Sequence, residues 1–182
     1  MTPSKKGRIA LIIVDVQNDF CPGGSLPVYN GHMIVPAINS FIGFYDFVVA
    51  TQDWHPINHC SFKAHGGQWP EHCIKGTSGA DFHQHLRTSA FTHIVRKAHR
   101  EDKDVYSGFK DTGLAKMLRS LGIRHVDICG LATDYCVKAT ALDAKTAGFD
   151  VAVLLRACRG VTPENTTAAI EEMRKAGIVI VS

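Results

Sequence analysis

The run Arg8-Ile-Ala-Leu-Ile-Ile-Val-Asp15 limits the possible folds more than any other part of the chain. Its apolar, largely β-branched residues do not alternate with polar ones, so the strand they form is covered on both faces, as in a parallel sheet. Shorter runs of the same character recur at Phe47–Thr51, His93–Lys97, His125–Gly130, Val151–Leu155 and Ile178–Val181, making six strands. Helical spacing falls between them, over Met33–Phe44, Gly113–Leu121, Asp134–Ala147 and Pro163–Ala176. The last of these has Thr162 to cap its start, Pro163 in its first position and Gly177 to stop it. Strands alternating with helices predict an α/β fold: a single doubly wound, mostly parallel six-stranded sheet with helices on both faces. A chain of 182 residues is expected to form one domain over 1–182.

Composition removes several classes of function. The 20 Lys+Arg against 17 Asp+Glu leave only +3, and no run of like charge exceeds two residues, so no nucleic acid or anionic membrane is expected as a partner. The longest apolar run, Ile9 to Val14, is too short to span a bilayer, and the Lys5-Lys6 start lacks the apolar core of a signal peptide. A cytoplasmic location and a small-molecule ligand are therefore expected, with a homo-oligomer left open. Six cysteines in such a setting stay reduced, and no Cys-x-x-Cys pair occurs.

In open α/β sheets ligands bind beyond the carboxyl ends of the strands. Asp15 ends the first strand, Asp53 follows the second, Lys97 ends the third and Cys136 lies just past the fourth. Each alone has a plain reading as a turn cap, a solvated strand end or a packed thiol; together they place four reactive side chains on one edge. Cys136 closes Gly130-Leu-Ala-Thr-Asp-Tyr-Cys136, a strand-to-helix turn in which Thr133 can cap the helix and the thiol falls in the first turn. A helix N-terminus and a nearby lysine favour thiolate, so the Cys136 pKa is expected below the usual value of about 8.5. The backbone N–H groups of Ala132 and Cys136 are candidates for an oxyanion hole. Cys129 and Cys158 read as packing residues.

Two long stretches, 16–30 and 53–90, are rich in Gly, Pro and His without periodicity, and loops of that length in a compact domain are usually functional. Five of the ten histidines (His55, His59, His65, His72 and His83) fall between positions 53 and 83. Asp53-Trp54-His55 with His72 supplies one carboxylate and two imidazoles, a donor set for zinc, iron(II) or manganese that leaves coordination positions open. His59 or His65 can add a further ligand. A structural zinc held by His59-Cys60 and His72-Cys73 is the alternative within the same stretch, although adjacent His-Cys pairs lack the usual ligand spacing.

Six motifs in order then carry a resemblance that runs nearly end to end: Ile13–Leu26 (Ile-Val-Asp-Val-Gln-Asn-Asp-Phe-Cys-Pro-Gly-Gly-Ser-Leu), Ala50–Pro56, Trp69–Cys73, Gly76–Asp81, Tyr106–Phe109 and Gly130–Val137. The chain resembles the nicotinamidase/pyrazinamidase members of the isochorismatase-like cysteine hydrolase superfamily. The resemblance implies a catalytic triad of Asp15, Lys97 and Cys136, a divalent metal, foremost zinc, on Asp53, His55 and His72, and a cis peptide between Leu131 and Ala132 that opens the oxyanion hole. It also implies a substrate pocket walled by Phe20, Trp69 and Tyr106, each of which reads equally well as a core aromatic. The implied activity is hydrolysis of nicotinamide to nicotinate and ammonia in NAD salvage, and of pyrazinamide, through a thioester on Cys136. The charged segment 96–104 has no counterpart in that scheme.

Three rivals share parts of the pattern. A hydrolase of the enol ether isochorismate resembles this chain but has no cysteine at the nucleophile position. An amidase for N-carbamoyl substrates keeps the cysteine triad and lacks the Asp53-x-His55 metal motif. A zinc-storing or redox-sensing protein explains the Cys and His counts without catalysis.

Overall fold

The structure, a computed structural model, describes residues 8–182; the Lys5-Lys6 start lies outside the described residues. Six strands, β1 (Arg8–Val14), β2 (Phe47–Asp53), β3 (His93–Lys97), β4 (Ile123–Leu131), β5 (Asp150–Arg159) and β6 (Val179–Val181), alternate with helices α1 (Val35–Ile42), α2 (Leu114–Ser120), α3 (Lys138–Thr146) and α4 (Pro163–Lys175). They form one six-stranded sheet in the order β3-β2-β1-β4-β5-β6. Every pairing is parallel, so the expected mostly parallel sheet is wholly parallel. The residues of β1 from Ala10 to Val14 are buried, as an unbroken apolar run in the middle of the order requires. α1 and α3 pack against β5, α2 against β4 and α4 against β6, and α3 and α4 also touch each other.

Element ends follow local chemistry. Helical periodicity begins at Met33, but Gly31–Ile34 form a tighter 3₁₀ turn and α1 starts only at Val35. Pro36 is the reason: lacking an N–H, it fits the first turn of an α-helix and no later one. The Thr162 hydroxyl accepts the Asn165 N–H at 3.1 Å, and α4 ends where Gly177 takes φ +76°. β5 runs well past Leu155 because β4 continues beside it, pairing Gly130 with Cys158 after a register shift, so Cys158 lies within the strand. Between β2 and β3, residues 54–92 carry short 3₁₀ turns at Lys63–His65 and Thr88–Ala90 and isolated bridges pairing His55 with Ile74 and Phe62 with Trp69.

The strand order reverses between β1 and β4, which places the ligand crevice above their carboxyl ends. Gly130 makes this approach possible. Its φ is +119°, and a Cβ built on it would lie 2.1 Å from the Val14 carbonyl oxygen. No helix among the described residues is long and apolar enough to cross a membrane.

Candidate active site

Three of the residues picked out at the strand ends meet in the crevice. Asp15 turns the chain just after β1 with φ +48°, Lys97 ends β3, and Cys136 lies in the turn after β4. All three are buried, Lys97 to 1 % exposure. Its Nζ lies 2.9 Å from Asp15 Oδ2 and 3.5 Å from Cys136 Sγ, and it also donates to Asp53, its register partner across β2 and β3. Asp53 is thus the last residue of β2, which runs two residues past its expected end at Thr51. The Thr51 hydroxyl donates to Asp15 Oδ1 at 2.6 Å. Asp15 Oδ2 is the one buried side-chain polar atom among the described residues with no hydrogen bond; its contact with Lys97 is ionic, and its lone pairs remain available to a proton. Reactive atoms of Asp15, Asp53 and Cys136 all lie within 4.8 Å of one another.

Burial governs the ionisation of this cluster. It pushes the Asp15 carboxyl above the ordinary carboxylate range, with Lys97 and the Thr51 hydroxyl opposing and Asp53 adding to the rise. Burial also works against the Lys97 charge, but Asp15 and Asp53 overrule it and hold the ammonium well above its usual pKa. The Cys136 thiol goes up, not down. The expected depression is corrected here: full enclosure, reinforced by the Asp15 and Asp53 charges, outweighs Lys97 and the helix terminus. That terminus also differs from the expectation. Thr133–Val137 form a π-helical turn ahead of α3, Ala132 occupies the capping position, and the Thr133 side chain makes no capping bond.

The Leu131–Ala132 peptide is cis. The Ala132 carbonyl receives the N–H groups of Tyr135 and Val137, at 3.0 and 3.1 Å, and passes over that of Cys136. Ala132 and Cys136 both line the pocket.

Asp53, His55 and His72 are buried, and one donor atom from each lies within 4.8 Å of the other two. Backbone carbonyls set both imidazoles: His55 Nδ1 donates to the His72 carbonyl at 3.0 Å and His72 Nδ1 to that of Pro70 at 2.8 Å. Each ring therefore keeps Nε2 as a lone pair without a protein partner among the described residues, the usual state of a metal-binding histidine. Burial, with His72 and His59 nearby, lowers His55 to about 3, so its ring is neutral. This N₂O donor set, with an Nε2 lone pair on each ring, fits a borderline divalent cation. His65 is exposed and joins no donor cluster, and neither Cys60 nor Cys73 does, so the His-Cys zinc alternative is not assembled.

The pocket above the thiol is lined by Phe20, Trp69 and Tyr106 together with Leu26, Val28, Tyr135 and Val161. The Trp69 indole N–H donates to Tyr106 Oη at 2.9 Å, and Tyr135 stands edge-on to Trp69 at 5.4 Å. Several residues escaped the sequence reading. Tyr135 directly precedes Cys136, and that adjacency was the available signal. Phe62 packs under the rings of His55, His59 and His72 at 5.3–5.7 Å, and nothing in the sequence separates it from any other core phenylalanine. Asp19 accepts the Cys73 N–H at 2.7 Å and both the N–H and hydroxyl of Ser25, tying the Phe20 wall to the loop that carries His72.

Comparison with known proteins places the chain in a family. The isochorismatase domain model matches residues 9–182. The chain is 44 % identical over 183 residues to the nicotinamidase/pyrazinamidase of Mycobacterium tuberculosis, covering 94 % of this chain and 97 % of that one. A crystal structure of the pyrazinamidase of Pyrococcus horikoshii in complex with zinc is 50 % identical, with TM-score 0.91 over 96 % of this chain and 99 % of that one. The structure of PnC1 from L. infantum in complex with nicotinate is 41 % identical, with TM-score 0.93 over 97 % and 93 %. The chain belongs to the isochorismatase family. Within it, the chain falls in the nicotinamidase/pyrazinamidase group and is an amidohydrolase.

Proposed function

We propose that the chain hydrolyses nicotinamide to nicotinate and ammonia, accepts pyrazinamide, and does so through a thioester on Cys136. The observation that carries this reading is a buried Lys97 Nζ set 2.9 Å from Asp15 and 3.5 Å from the Cys136 sulfur at the floor of an aromatic pocket. Asp15 Oδ2, whose one close partner is the Lys97 ammonium, takes the Cys136 proton as the sulfur attacks the amide carbonyl carbon. Lys97 holds the resulting charges in place. The oxygen that gains the negative charge is met by the Ala132 and Cys136 N–H groups. Asp15 then passes its proton to the amide nitrogen, the C–N bond breaks, and ammonia leaves a thioester. A water gives its proton to Asp15 and its oxygen to the carbonyl carbon; the C–S bond breaks, nicotinate is released, and the proton returns to sulfur.

Asp53, His55 and His72 would hold one divalent metal, with zinc the foremost candidate. When bound, that ion supplies a Lewis acid able to fix a ring nitrogen or a water. Trp69, Tyr106 and Phe20 enclose the ring and exclude solvent. The pyridine carboxylate so formed would re-enter NAD synthesis.

The test is ammonia release from nicotinamide by the metal-replete protein, before and after a chelator. Release that falls on chelation and returns with zinc, iron(II) or manganese supports the reading. No release under any of these conditions contradicts it.

A further inference from the structure

His59 and the charged strap 98–105 stand outside the cluster described above, and they meet. The His59 ring is fully buried. Its Nε2 lies 3.1 Å from the Lys103 carbonyl and its Nδ1 2.7 Å from the Ser61 hydroxyl. A carbonyl only accepts, so Nε2 carries the hydrogen. Nδ1 is then the acceptor, for the Ser61 hydroxyl and, at 3.3 Å, for the Ser61 N–H. One tautomer satisfies every contact and leaves no lone pair for a cation. Donor atoms of His55, His59 and Asp104 do lie within 4.8 Å of one another, but His59 could ligate there only by giving up one of these bonds.

The same bonds fasten the strap. The Cys60 N–H donates to the Glu101 carbonyl at 2.8 Å, so consecutive residues 59 and 60 grip it at 103 and 101. Its charges close on themselves outside, Arg100 on Asp102 at 3.0 Å and Lys103 on Asp111. Beyond the grip, Asp104, Val105 and Tyr106 form one wall of the pocket, and Tyr106 Oη receives the Trp69 indole N–H. On its other side the His59 ring packs against His55, with centroids 4.4 Å apart.

Taking the pocket as a nicotinamide site, we infer that His59 is a positioning residue and not a metal ligand: it docks the strap 98–105 and thereby sets the Tyr106 wall against the substrate ring. When the strap loosens, Lys97 gives up only its 3.5 Å contact with the Val105 carbonyl and keeps Asp15 and Asp53, so the change acts on binding more than on chemistry.

The test compares wild type, His59→Ala, His59→Gln and His55→Ala by metal content, amide hydrogen exchange and steady-state kinetics. His59→Ala should keep about one metal per chain, as wild type does, whereas His55→Ala should not. It should speed exchange across 101–105 and raise KM for nicotinamide about tenfold, with kcat within about threefold. His59→Gln keeps a terminal N–H donor and should recover most of the protection and of KM. Metal lost from both His59 variants, as from His55→Ala, overturns the inference, as do unchanged exchange and KM in a folded His59→Ala. If His59→Ala does not fold, His59→Gln decides alone: retained metal with a small rise in exchange and KM supports the inference, and lost metal overturns it. Wild type inert towards nicotinamide would remove the functional reading alone, and metal content with exchange would still decide for His59.

Discussion

A thiol, a carboxyl and an ammonium enclosed together exchange protons as one unit, so the ionisation of Cys136 is tied to that of Asp15. Burial raises both acids, so the proposed activation is a transfer of the thiol proton to Asp15 during attack rather than a standing thiolate. Asp15 must be ionised to accept that proton. Activity should therefore fall with decreasing pH through a pKa above the ordinary carboxylate range of about 4. The Thr51 hydroxyl opposes the rise, so Thr51→Val removes a lowering influence and should move the acid limb of the kcat/KM profile to higher pH. A limb that stays in place, or moves to lower pH, contradicts this account of Asp15. The meeting of Asp15, Lys97 and Cys136 was legible because each sits at or just past the end of an apolar run. The direction of the Cys136 shift was not, since a helix terminus is visible in a sequence and full enclosure by distant segments is not.

At the level of elements, the six strands were readable because apolar runs bounded by Gly, Pro and Asp have few other uses. Ends were less so. α1 begins late because Pro36 tolerates only a first turn, and β5 runs long because its neighbour does, a fact about pairing rather than about residues 156–159. The contact of β4 with β1 depends on Gly130, where positive φ and a Cβ position 2.1 Å from the Val14 oxygen exclude a side chain. Gly130→Ala should cost at least about 2 kcal/mol of stability, read as a lower urea midpoint at unchanged slope. A variant as stable as wild type would mean that β4 can shift away from β1 without penalty.

The whole molecule joins two recognition devices that ask different things of a ligand. Flat walls at Phe20, Trp69 and Tyr106 would stack any planar ring and hold benzamide as well as nicotinamide. A cation held by Asp53, His55 and His72, as proposed, would favour a ring nitrogen meta to the carboxamide, which benzamide lacks. Metal-replete protein should therefore prefer nicotinamide over benzamide by up to about 10⁴-fold in kcat/KM, and near-equal values would point to a broader amidase. The long β2–β3 connection that assembles both devices has no periodicity to read. Its residue types pointed to a set of metal donors, while the tautomers that separate His55 and His72 from His59 depend on carbonyls contributed by the folded loop and by the strap.

The central claim is that turnover passes through sulfur, and ammonia release from nicotinamide by Cys136→Ala tests it most directly. With thermal unfolding and metal content matching wild type, the variant should lose at least several orders of magnitude in kcat, as removal of a covalent nucleophile does elsewhere. Substantial turnover by a folded, metal-loaded Cys136→Ala would contradict the account.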